Sequence, residues 1–380
     1  MHWGLDLLRS KALCYVMTLL VFAAAPYFLS SYDLSLLGRF LALSILALGL
    51  SLVWGRGGIL SLGQGVFFGL GGYAIAMHLK LASLAPGDLP DFMVWTGVDH
   101  LPGWWSVFRN AEFALGAAIM LPSLAAAGLA WLVFHRRVGG VYFALISQAL
   151  ALAFATLLIS QQSYTGGFNG LTDFGTLFGF SLADPRTERL LYWLTLALLG
   201  LFFATLRWVL STDFGKILVA VRDGENRLRF LGYNPTPYKV VAFAIGGACA
   251  GIAGALFTLH VGVISPAMVG VVPSIEMVVW VAVGGRSSLL GAIIGTLLVN
   301  FGKDWISSAL PELWLFVMGL LFVVVVMILP RGLTGIAEHW QRLRGWRFLA
   351  KFRKPSNPKS KATEPVMDVH GRLGRGVRNV

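Results

Sequence analysis

The chain has 380 residues, 57% hydrophobic and only 13% charged, with a formal net charge of +12 and a mean hydropathy of +0.73. Soluble domains carry about 25% charged residues, so this balance excludes an ordinary soluble globule and indicates an integral membrane protein. Cys14 and Cys249 lie far apart inside apolar runs, which excludes a disulfide framework or a cysteine metal site.

A helix needs roughly 20 apolar residues to cross a bilayer. Taken in chain order, the apolar runs predict spans near 12–29, 36–54, 57–80, 113–134, 141–160, 188–208, 239–260, 272–284, 289–302 and 312–330. Residues 9–25 also fit a signal peptide, but the apolar run continues to Leu29, which favours a retained first helix. The pair 272–284 and 289–302 is short and joined by "GGRSS"; it fits tilted half-length helices or one re-entrant unit.

With ten spans both termini share one side. That side carries 24 of the 30 Lys and Arg residues, and 12 against 6 when 331–380 is left out. The positive-inside rule then makes both termini cytoplasmic. The expectation is an all-α integral membrane protein, a polytopic helical bundle of about ten transmembrane segments, some short or broken. Its organisation is an N-terminal segment over 1–34, a membrane domain over 35–335, and a basic cytoplasmic tail over 336–380 that reads as disordered beyond 350. That tail suits anionic lipid headgroups; nothing in it forms a folded face for nucleic acid.

Glycine pairs recur at four-residue spacing: Gly65 and Gly69, Gly247 and Gly251, Gly291 and Gly295. Such pairs let helix backbones approach closely. Polar residues inside the spans either bond neighbouring helices or face a solute path. The path candidates are Gln64, Ser61, Gln148, Glu276 and Asn300, with Gln64 first because its glycine neighbours leave room for a small solute. Outside, "TGGFNGLTDFG" is a turn-rich loop in which Asn169, Thr172 and Asp173 are candidates for a gate or a contact with a delivery protein, or belong to a plain connector.

The stretch "DFGKILVAVRDGENRLRFLGYNP" (213–235) interrupts this apolar pattern. Phe214, Ile217, Leu218 and Val221 form one helical stripe, Glu225 breaks it after Gly224, and Leu228 and Leu231 resume it. Two short helices with a glycine bend are predicted. From periodicity alone the segment fits an amphipathic helix on the membrane, or a docking surface with apolar anchors and a polar rim.

The run "GKILVAVRDGENRLRFLGYNPTPYKVVAFAIGGACAGIAGAL" resembles the cytoplasmic coupling loop and following helix of ABC-importer permeases for branched-chain amino acids. "GGILSLGQGVFFGLGGYA" resembles their early glycine-rich segment and "SIEMVVWVAVGGRSSLLGAIIGTLL" their late one. Within that family, "QQSYTGGFNGLTDFGTLFGF" and the basic tail look most like the larger permease subunit of the urea importer. The resemblance implies a permease for urea, or alternatively for branched-chain amino acids or another small amide, in a bacterial inner membrane. It implies a second homologous permease subunit, two ATP-binding subunits that use ATP and Mg, and a periplasmic binding protein. This chain would bind no cofactor and catalyse nothing. The coupling loop, 211–238, would include Gly215, Ala220, Arg222, Asp223, Glu225, Asn226 and Gly232. Where the family commonly has small alanines after the acidic cluster, this chain has Arg227 and Leu228.

Two other classes are disfavoured. No Ser–His, paired-Asp or HExxH arrangement lies within a span, which argues against an intramembrane enzyme. A passive channel would not need the segment at 213–235. No GxxxxGK[ST] phosphate loop is present, so any ATP hydrolysis belongs to a partner.

Overall fold

The computed structural model describes residues 22–85, 87–177, 180–181, 184–309, 312–328 and 332–335. Most of the predicted first span and all of 336–380 lie outside the described residues. The longer helices are α1 (Ser31–Leu50), α2 (Gln64–Ala82), α3 (Ala111–His135), α4 (Gly140–Ser160), α5 (Pro185–Ser211), α6 (Asp213–Phe230), α7 (Pro235–Val261), α8 (Val271–Gly284), α9 (Leu289–Ala309) and α10 (Trp314–Ile328). A two-residue hairpin pairs Thr176–Leu177 with Phe180–Ser181, antiparallel. The chain is otherwise helical among the described residues, in agreement with a polytopic helical membrane protein.

Among the described residues, eight helices are long and apolar enough to cross a membrane, by length and composition. They correspond to the predicted spans from 36–54 through 289–302. Of the predicted last span, 312–330, the described residues include a helix over Trp314–Ile328, and residues 329 and 330 lie outside them. The predicted span 57–80 is corrected: residues 57–63 are not helical, and the helix begins at Gln64. Conversely α1 runs on through a π-helical turn, Ser51–Arg56. The short pair is not two half-length helices, because α9 extends to Ala309.

Helix starts follow local chemistry. Ser30, Asn110, Asp184 and Asn234 accept from backbone N–H groups two or three residues on, which satisfies donors that an α-helix leaves orphaned. Pro185 and Pro235 take first-turn positions, where no N–H is needed.

The core is built around α7, which packs against α1, α2 and α3. Residues 31–56 are buried almost throughout, whereas α3, α4 and α5 present Leu124, Leu145 and Leu201 outward. Apolar residues facing out all round such a bundle suit a bilayer. The α2–α7 crossing depends on glycine. A Cβ on Gly71 would overlap the Gly251 carbonyl, and one on Gly254 would overlap the Phe68 carbonyl. The close approach read from the Gly247 and Gly251 spacing is made with α3, where Cβ atoms on the two would collide with Ala126, Pro122 and the Ala118 carbonyl. In the 65/69 pair, however, the partner is the backbone and side chain of Val269, in the turn before α8.

Candidate functional site

Two regions hold the polar residues singled out by the sequence. The first is α6, between α5 and α7. Its backbone breaks at Gly224 (φ −176°, ψ 72°), so it is two helices joined by a bend. Gly215 sits where a side chain would collide with the Leu210 backbone, which fixes the tight corner from α5. Ala220 and Asn226 are exposed.

The apolar stripe of α6 does not face outward. Leu218, Val221 and Leu228 are buried, and Leu218 lies beside Gly57 in the linker after α1. The expectation that these residues are docking anchors is corrected: they hold the segment onto the bundle. The exposed apolar residues are instead Phe230 (92% exposed) and Leu231 (75%), at the end of the second half-helix, followed by Tyr233. Phe230 lies off the stripe of 218, 221 and 228, and a large apolar residue off the buried face was the available signal.

Gly232 closes this helix with φ 87°. Its N–H donates to Arg229 O at 2.9 Å, and Tyr233 N donates to Leu228 O at 3.2 Å, the paired bonds of a Schellman motif. A Cβ at Gly232 would meet nothing, so glycine is needed there for its backbone alone.

The bend is stapled by charge. Glu225 accepts from Arg229 Nη2 at 2.8 Å and from Lys239 Nζ at the start of α7. The Lys239 ammonium also stands 4.8 Å above the Phe134 ring. Burial pushes the Glu225 carboxyl up, but the bonds from Lys239 and Arg229 outweigh it and hold its pKa below the ordinary value. Arg222 donates from Nη1 to Gly55 O at 2.8 Å and from Nε to Asp223 Oδ1 at 2.8 Å. The Asp223 carboxyl is exposed, and its pKa is lowered by the Arg222 bond.

The second region is the polar interior. Ser61 is buried, and its Oγ lies 3.4 Å from Gly63 N. Gln64 opens α2, is 1% exposed, and its Nε2 has no partner among the described residues. The reading that its glycine neighbours leave room for a solute is corrected. Gly63 is pressed against the Ser147 backbone and Gly65 against Val269 and Ser274, so protein fills that space. Leu62 N and Gly65 N donate to Ser147 Oγ and Ser274 Oγ, each at 3.0 Å. This unwound stretch is therefore tied to α4 and α8. Gln148 is half-buried on α4.

Glu276 and Asn300 do come together, in a cavity of about 480 Å³ between α1, α2, α7, α8 and α9. Lys303 Nζ bonds both Glu276 oxygens, at 2.7 and 3.0 Å. Asn300 Nδ2 donates to Thr296 O within its own helix. Arg39 and Asp304 complete the charged lining. Sequence reasoning did not name Arg39, Lys303 or Asp304 as path residues. The signal was present: Arg39 lies inside an apolar run, and charge at membrane depth marks function.

Of the outer-loop candidates, Asn169 and Asp173 are exposed and Thr172 is half-buried. Thr172 donates to Asp173 Oδ2 at 2.9 Å. The adjacent Leu171 pairs with Ile264 through reciprocal backbone bonds of 2.9 and 3.0 Å. This loop is thus anchored to the segment whose Ala267 and Met268 line the cavity. Among the described residues no cluster of His, Cys, Asp and Glu could hold a metal ion.

Comparison with known proteins bears on both regions. Residues 33–326 match the family model described as branched-chain amino acid transport system / permease component. The chain is 28% identical over 357 residues to the high-affinity branched-chain amino acid transport system permease protein LivM of Salmonella typhimurium, covering 88% of this chain and 77% of that one. It is 26% identical to the probable LivM permease of Methanocaldococcus jannaschii, over 76% of this chain and 89% of that one. It is 24% identical to LivH of Escherichia coli, over 78% and 92%. No solved structure matches. The relatives are named as transport permeases, not enzymes, and the comparisons give no support to the urea branch. The family model spans well over half of the chain, and the chain belongs to the branched-chain amino acid transport permease family.

Proposed function

We propose that this protein is a membrane permease subunit of an ATP-driven importer for branched-chain amino acids. The urea reading rested on one outer loop and the tail. The relatives LivM and LivH are named for branched-chain amino acids, and that favours the alternative weighed from the sequence. Two distinct permease types among the relatives also favour pairing with a second, homologous permease.

One observation carries the coupling role. α6 is pinned to the bundle by its buried stripe and by Arg222, and it presents Phe230 and Leu231 to the outside. An apolar tip on a rigidly held, polar-rimmed helix suits a groove on a soluble ATPase. ATP and Mg are used there, and a binding protein delivers substrate at the other end of the bundle. The charge distribution supports a cytoplasmic position for α6, at the inner face of a bacterial inner membrane.

The test is uptake of labelled leucine and labelled urea at micromolar concentration, in cells with and without this chain, with and without an uncoupler that drains ATP. ATP-dependent leucine uptake that needs the chain is the expected result. Loss of urea uptake alone would return the chain to the urea branch. Uptake insensitive to ATP depletion would make it a channel.

A further inference from the structure

The cavity opens a question that family membership does not answer: where within this chain a substrate rests. It lies at the end of the bundle away from α6. Its walls come from the first half of α1, the last turns of α7 and α9, and the start of α8. At about 480 Å³ it falls within the roughly 300–1,000 Å³ typical of small-molecule sites.

Its charges are unevenly committed. Lys303 and Glu276 neutralise each other through two bonds. Arg39 and Asp304 have no ion-pair partner among the described residues, and the Arg39 Nε is buried without a hydrogen bond. Both line the cavity. They are brought together by α1 and α9, which meet where Phe40 and Phe301 pack edge to face at 4.9 Å. Phe40 directly follows Arg39, and Phe301 precedes Asp304 by three residues. Apart from Asn300 and Ser307, the rest of the wall is apolar and includes Phe40, Phe68, Met268, Met277 and Trp280. The Trp280 Nε1, in a residue 3% exposed, also lacks an acceptor among the described residues.

Arg39 and Asp304 are each half-buried at this cavity, and a ligand that paired both charges would offset the water they give up when it binds. We infer that the cavity is a substrate subsite for a zwitterionic aliphatic amino acid, with Arg39 receiving the α-carboxylate and Asp304 the α-ammonium. Arg39 offers planar paired donors that fit a carboxylate. Asp304 accepts from the ammonium, and the aliphatic side chain rests on Phe40, Met268 and Trp280. The Glu276–Lys303 pair leaves the remaining wall neutral, so an extra charge on the side chain is disfavoured. A neutral amide such as urea would leave both Arg39 and Asp304 unpaired. This site rests on the amino-acid reading above and names the residues that would carry it.

The test uses the full chain with its co-purifying subunits in lipid nanodiscs, without the binding protein. Tritiated L-leucine is bound and displaced by leucinamide, which lacks the carboxylate, or by 4-methylpentanoate, which lacks the ammonium. The intact protein should prefer leucine over either analogue by on the order of tenfold or more, as for losing one charged hydrogen-bonded group. Arg39→Gln should erase the preference over leucinamide alone, Asp304→Asn the preference over 4-methylpentanoate alone, and Arg39→Lys should restore part of the first. Membrane level and the bound second subunit report folding, and if Arg39→Gln fails there, Asp304→Asn and Arg39→Lys decide. Unchanged affinity and discrimination in the variants would overturn the site and leave the permease reading standing, provided leucine uptake still needs the chain. No leucine binding by the intact protein would also overturn the site. Urea uptake without leucine uptake would overturn the reading itself.

Discussion

The guanidinium of Arg222 reaches from the first half of α6 to the last turn of the α1 helix and bonds the carbonyl of Gly55 at 2.8 Å. That carbonyl belongs to the π-helical turn Ser51–Arg56, whose Ser51 Oγ also donates to Arg286 O at 2.9 Å. π-Turns concentrate where helices do work. Here the turn links α6, α1 and the 285–288 connection between α8 and α9. The same α1 carries Arg39 into the cavity. If α6 has the proposed coupling role, a push on it would reach the cavity wall through one continuous helix.

Arg222→Gln should cut this link. The initial uptake rate per inserted chain is expected to fall about tenfold, since hydrogen bonds to charged groups are worth about 1.5–3 kcal/mol. Asp223→Asn removes only an exposed neighbouring pair, of little value, and should leave uptake near normal. Quantified membrane fractions and transport rates for the two variants check this. Equal rates would show that the Arg222–Gly55 bond does not transmit.

Phe230 and Leu228 are two residues apart and should behave oppositely. Phe230→Asp changes a side chain that touches solvent, so it should leave the chain's thermal midpoint unchanged while abolishing co-purification of an ATPase subunit. Leu228→Ala empties a buried position and should destabilise α6 by about 2–5 kcal/mol. Pull-down and thermal unfolding in detergent separate the two effects. Retention of the ATPase by Phe230→Asp would move the docking surface elsewhere.

Much of this was legible in the sequence because period and composition are strong signals in membrane helices. The break at Gly224, the stops at Pro235 and the helix-packing glycines at 247 and 251 follow from local chemistry. The direction of the α6 stripe was not legible. A helix with one apolar face looks the same whether that face meets its own bundle or a partner, and only the neighbouring Gly57–Gly58 linker decides. Gln64 was misjudged for a related reason: glycine beside a polar residue reads as space, but here Ser147 and Val269 occupy that space. Arg39 and Asp304 are 265 residues apart, and only the α1–α9 packing makes them one site.

Gly232 provides a test of backbone alone. Its φ of 87° costs an L-residue about 1–2 kcal/mol, and no atom would clash with a methyl there. Gly232→Ala should loosen the end of α6, seen as faster proteolysis between 229 and 235, and lower uptake several-fold. Gly232→Asn, which tolerates this conformation better, should fall between the two. An alanine variant as protease-resistant as the parent would mean that the Schellman bonds are not what holds Phe230 in place.

Glu225 gives α6 a defined response to pH. Its folded pKa lies below the ordinary glutamate value of 4.5 because Lys239 and Arg229 bond the ionised form more strongly than burial opposes it. A carboxylate with a depressed folded pKa stabilises the fold fully above its unfolded value and loses that contribution as pH falls through the folded one. The thermal midpoint of the solubilised chain should therefore be insensitive to this group near neutrality and drop below about pH 4.5. Glu225→Gln should lower the midpoint at pH 7, because Lys239, 9% exposed, and Arg229 would both lose the carboxylate they bond. The same variant should show a shallower acid drop, so the two curves converge at low pH. Parallel curves would mean that other carboxylates carry the acid sensitivity and that the staple does not hold the bend. Loss of uptake at acid pH in the parent, but not in the variant, would tie the staple to transport.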